Sequence, residues 1–113
     1  MDWMHYPACF AAGAVLTNAI PHFVSGLMGR PFQSPFAKPP GKGLSSSTVN
    51  VAWGVFNLVL AYLLICRAGA FDLRATPDAI ALGLGMLLPG LALARAFGRF
   101  HGGNSPESGE ASH

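Results

Sequence analysis

The sequence predicts an all-α membrane protein with three transmembrane helices, the first two forming an antiparallel hairpin and the third packing beside them. Composition is the first reason: 51% of the residues are hydrophobic and 11% are charged, about half the charged share of an ordinary soluble domain. The second is length, because three apolar stretches each approach the ~20 residues needed to cross ~30 Å of hydrocarbon. The third is charge placement: no Asp or Glu lies between Trp3 and Phe71. The net charge of +2 is too small to point to nucleic acid, so the lipid bilayer is the expected partner and no nucleic acid is.

The chain is expected to divide into a three-span bundle over 1–100 and a disordered polar tail over 101–113, HGGNSPESGEASH. That tail has too few apolar residues to offset the entropy of ordering it. The first span covers about 7–28 and contains no charged residue. Pro7 suits a first helical turn, where its missing N–H costs nothing. Pro21 lies inside the span and should kink it, leaving the Thr17 carbonyl without its usual donor. The N-terminus has no basic residue ahead of the apolar run, so the segment reads as a retained span rather than a signal peptide.

Residues 29–47 read GRPFQSPFAKPPGKGLSSS, whose four prolines and three glycines exclude a regular helix. Phe32, Phe36 and Leu44 are apolar enough to dip into the membrane interface. Arg30, Lys38 and Lys42 are candidates for headgroup contact, worth about 1 kcal/mol each near an anionic surface; topology determination alone explains them more simply. PPGKGLS lacks the upstream glycine and the Lys-Ser adjacency of a phosphate-binding loop, so that reading is rejected. Ser45 to Thr48 offer N-caps for the second span, about 48–66. The third span covers about 77–98. Thr76-Pro77-Asp78 supplies its start, with a capping hydroxyl, a first-turn proline and an acid at the positive end of the helix dipole. Arg95 and Arg99 should snorkel to the headgroups.

Arg30, Lys38, Lys42, Arg95 and Arg99 share one side of the membrane, against Arg67 and Arg74 on the other. This bias expects a cytoplasmic loop and C-terminus and an external N-terminus. Trp3, Tyr6 and Tyr62 then fall at the outer interface, Phe97 and Phe100 at the inner one.

Counting back from Met28 and Ser47 sets Asn18 level with Asn57, His22 with Trp53, Ser25 with Asn50, and Cys9 with Cys66. Asn18, His22, Asn50, Trp53 and Asn57 thus form a polar seam, either a ligand site or a set of interhelical hydrogen bonds. The second is favoured, because no membrane-embedded acid accompanies the histidine. A stripe of small residues in the third span, Ala79, Gly83, Gly90, Ala94 and Gly98, should converge on the same axis. His5, His101 and His113 lie near the ends or in the tail, so haem ligation is not expected. Two cysteines far apart make no metal motif, and two buried unbridged thiols are favoured over a disulfide. No catalytic residue, metal or cofactor is expected, and the chain does not read as an enzyme.

The tracts NAIPHFVSGLMGRPFQSPF and PPGKGLSSSTVNVAWG resemble a group of small uncharacterised bacterial integral-membrane proteins. The resemblance covers roughly 18–57. It implies a bacterial inner-membrane protein with few spans and carries over no site residue. Association with itself or a larger membrane partner is the leading functional expectation. The alternatives are small-molecule or ion transport by a homo-oligomer lined by Asn18, His22 and Asn57, and lipid or quinone binding at the seam.

Overall fold

The computed structural model describes residues 3–67 and 70–103. Three helices account for most of it: α1, His5–Leu27; α2, Ser47–Cys66; and α3, Thr76–His101. All three are long and apolar enough to cross a membrane. The expected spans fall inside these helices almost residue for residue, because an uncharged apolar run has few alternatives to a helix that satisfies its own backbone. The tail beyond Gly103 lies outside the described residues.

The helix ends differ in detail from expectation. Ser46 caps α2, its Oγ accepting the Val49 N–H at 3.1 Å. At α3 the cap is Ala75, and the Thr76 hydroxyl makes no capping bond. Asp78, two residues on, turns away from its own helix end; its Oδ2 accepts the Asp72 N–H at 2.9 Å. α1 continues through Pro21 and α3 through Pro89, which removes the donors for the Thr17 and Gly85 carbonyls.

α1 is the central helix. It packs against α2 and against α3, while α2 and α3 share almost no direct contact among the described residues. The small-residue stripe of α3 therefore does not converge with α2 on a common axis. Moreover, the face of α3 that meets α1 carries Asp78 and Gly85, its two buried residues. A Cβ at Gly85 would run into the Phe10 carbonyl, and one at Gly13 into the Leu82 carbonyl, whereas Gly83 faces open space. Paired glycines bring these backbones together, as suits a setting where lipid supplies no hydrophobic drive. On the other side of α1, Gly54 of α2 lies against Phe23 and Gly26 lies against Val51.

The α1–α2 loop is folded. Phe32–Gln33 (β1) and Leu44–Ser45 (β2) form an antiparallel ribbon pairing Phe32 with Ser45 and Gln33 with Leu44. The Gly41 N–H donates to the Ser34 carbonyl at 2.9 Å and closes the turn beyond. Ser34 is fully buried, and its hydroxyl bonds that of Ser45. Phe32 turns inward; its ring stands edge-on to His22 and to Phe97 and stacks on His101 at 5.3 Å. Phe97 therefore belongs to the packing beneath the loop. Phe36 and Leu44 remain exposed.

Candidate functional site

The polar seam assembles where the loop folds over α1 and α2. Asn50 is its centre and is completely buried. Its Nδ2 donates towards three carbonyls, Phe32 at 3.2 Å, Ser45 at 3.2 Å and Ser46 at 3.0 Å. Those acceptors fix the orientation of the amide, so Oδ1 must accept from His22 Nδ1–H, 2.9 Å away. The tautomer of His22 follows: with the proton on Nδ1, the neutral ring keeps its lone pair on Nε2. One asparagine thus ties the ribbon, the start of α2 and the last turns of α1 into a single network.

A turn deeper, Asn18 Nδ2–H donates to Asn57 Oδ1 at 3.3 Å, and Asn57 Nδ2–H donates to the Trp53 carbonyl at 2.8 Å. Asn18 and Asn57 meet as the depth count expects. His22 stands level with Trp53, ring centroids 6.4 Å apart, but its hydrogen bond goes to Asn50, one helical turn nearer the loop. Arg30, Lys38 and Lys42 are exposed on the outer surface of the loop and take no part in the network.

Beside it lies a cavity of about 340 Å³, lined by Asn18, His22, Gln33, Ser34, Trp53 and Phe97 among others. Its size is at the lower end for small-ligand sites. Gln33 is held by His101, whose Nε2–H donates to Oε1 at 3.0 Å. Two apolar grooves flank the cavity. One, about 420 Å³, runs between α1 and α3 past Thr17, Pro21, Gly90 and Leu93 and shares Phe97 with it. The other, about 510 Å³, lies over Phe36, Val49, Ala52 and Phe56 and shares Trp53.

Two buried polar side-chain atoms lack a hydrogen-bond partner among the described residues: Trp53 Nε1 and Thr17 Oγ1. Both belong to residues lining these spaces. A buried donor left unpaired costs about 1–3 kcal/mol, so each is an unmet polar group inside the packed bundle.

Sequence reasoning missed Gln33, Ser34 and His101. They reach the site through the ribbon and through the last turn of α3, which a depth count restricted to two helices leaves out. The two cysteines are free, Cys9 buried and Cys66 exposed. Cys66 therefore departs from the expectation of two buried thiols. Cys9 lies towards His5 and α3, its Sγ 4.0 Å from His5 Nε2. No family model, curated protein or solved structure matches the chain.

Proposed function

We propose that this protein is a multi-pass membrane protein that binds a membrane-soluble amphiphile, of the quinone or lipid class, at the loop-capped end of an antiparallel transmembrane hairpin. The observation that carries the reading is the buried, unpaired Trp53 indole N–H, on a residue that lines both the cavity beneath the loop and an apolar groove. An N–H donor calls for a head that presents an acceptor, such as a quinone carbonyl or a lipid ester or phosphate oxygen. The grooves over Phe36 and Phe56, or past Thr17 and Leu93, would take its apolar body.

The inward direction of the seam supports this choice over the other two readings. His22, Asn50 and Asn57 are buried within one chain, which leaves them poorly placed to line a pathway between copies. Association with a partner draws its support from small residues left over after folding. Here Gly13, Gly26, Gly54 and Gly85 already serve contacts inside the chain, which leaves Gly83 of the α3 stripe facing open space. The Lys and Arg bias favours insertion in an inner membrane with the loop and C-terminus in the cytoplasm.

Trp3 and Trp53 are the two tryptophans, so a Trp3→Phe background makes Trp53 the single indole reporter. Titrating that variant in nanodiscs with a short-chain quinone should give saturable quenching, weakened by Asn18→Ala. If quenching is linear yet a phospholipid co-purifies with the wild type and is lost from Trp53→Phe, the ligand is a lipid. Linear quenching with no retained lipid contradicts the reading.

A further inference from the structure

At the end of the bundle away from the loop, three potential metal ligands converge. His5 and Cys9 are one helical turn apart on α1, a spacing that puts both on the same face. Asp78 comes from the first turn of α3. His5 Nε2 lies 2.7 Å from Asp78 Oδ1 and 4.0 Å from Cys9 Sγ, and the three ligand atoms all fall within 4.8 Å of one another. His5 and Asp78 are 73 positions apart in the chain and meet across the α1–α3 pair, and the glycine crossing one turn beyond sets their separation. Gly13 against Leu82 and Gly85 against Phe10 hold the two backbones in close contact near the cluster.

We propose that His5, Cys9 and Asp78 form a transition-metal site for Zn²⁺ or an ion of similar softness. Zinc bonds to nitrogen, sulfur and oxygen of about 2.0–2.3 Å set the ligand atoms of a tetrahedral site about 3.3–3.7 Å apart. The observed separations bracket that range, so side-chain shifts of about 1 Å or less bring all three onto one ion. One nitrogen, one thiolate and one carboxylate suit zinc better than magnesium or calcium, which prefer all-oxygen sets. Asp78 is already held in a ligating orientation, because Oδ2 accepts the Asp72 N–H and leaves Oδ1 towards the cluster, as outer-shell partners orient metal-binding carboxylates.

The site opens on the His5 side. The Asp78 side chain is 7% exposed and that of His5 16%, while Cys9 is buried. Three protein ligands leave a fourth position for water or a transferable group, the arrangement of exchanging rather than closed structural sites. Loading requires the Nε2 lone pair of a neutral His5 and the thiolate of Cys9, so uptake releases the Cys9 thiol proton. This inference is independent of the amphiphile reading, which concerns the opposite end of the chain.

The test uses the full-length protein in nanodiscs with Cys66→Ser, so that Cys9 is the only thiol, and Co²⁺ as a spectroscopic stand-in for Zn²⁺. A thiolate-to-cobalt charge-transfer band should appear, and Zn²⁺ should displace it. Asp78→Asn and His5→Gln should each weaken binding at least about tenfold. Removing Cys9 as well (Cys9→Ser with Cys66→Ser) should abolish the band. A folded Cys66→Ser protein that gives no band overturns the proposal, as does a band that survives loss of Cys9. Should the double variant fail to fold, Zn²⁺ protection of Cys9 from alkylation in Cys66→Ser decides the question, and an unchanged alkylation rate overturns the site.

Discussion

At the loop end, polar side chains join α1 to α2 and to the ribbon; at the other end, bare backbone joins α1 to α3. The first junction adds Asn18, His22, Asn50 and Asn57 with their hydrogen bonds to close glycine contacts at Gly26 and Gly54. The second is built from Gly13 and Gly85, with the His5–Asp78 pair as a polar clasp. The two solutions fail differently. A hydrogen-bonded junction leaves orphaned polar groups in a low-dielectric setting when a partner is removed, whereas a glycine junction fails when anything is added.

The largest expected effect comes from Gly85→Leu, which cannot be seated without moving the Phe10 backbone. It should separate α3 from α1, disrupt the His5–Cys9–Asp78 cluster, and leave the Asn50 network in place. Disulfide trapping should then fail between cysteines introduced on α1 and α3 and still succeed for a pair on α1 and α2. Next is Asn50→Ala, which removes the donor to three carbonyls and the acceptor for His22. With each lost bond worth about 1 kcal/mol, it should destabilise the fold by about 2–4 kcal/mol in a denaturant titration in micelles. Asn57→Ala removes two hydrogen bonds and should cost less, about 1 kcal/mol at the average of about 0.6 kcal/mol per interhelical bond in a membrane protein.

A smaller effect sharpens the ligand reading. Trp53→Phe keeps one aromatic ring at the position that packs against Phe36 and Phe56 and removes the indole N–H together with the second ring. It should weaken amphiphile binding about fivefold, the loss of about 1 kcal/mol, and the lost ring should lower stability by about 1–2 kcal/mol in the same titration, so binding is compared on folded protein. The smallest effect is Gly83→Ala. Its new methyl meets open space, so stability should stay within about 0.5 kcal/mol of wild type; a large loss would indicate a partner on that face. Orientation has its own check. In sealed cells an impermeant thiol reagent should label Cys66 rapidly, and Lys42→Cys in a Cys66→Ser background only slowly.

The spans were legible because apolar runs without charges leave the backbone one satisfactory state. The Asn18–Asn57 pairing was legible for the same reason, since depth in a hairpin follows from counting. The loop was not, because its order depends on Asn50 and His101, residues outside it that reach back to Phe32 and Gln33. The face of α3 was misread because small residues occupy more than one side of that helix. Gly83 and Gly85 are two positions apart and point to different sides, and only contact with Phe10 selects between them. The cluster at the far end had one local signal, the one-turn spacing of His5 and Cys9. Its third member lies across the α1–α3 crossing, which no periodicity within one helix reveals.

The most direct test of the loop-capped site is native mass spectrometry of the protein released from its own membrane into a mild detergent. A bound amphiphile of defined mass is expected on the wild type, with reduced occupancy on Trp53→Phe while that variant remains folded. A folded wild-type protein that carries no small molecule, or one whose ligand persists undiminished on both Trp53→Phe and Asn18→Ala, would contradict the site.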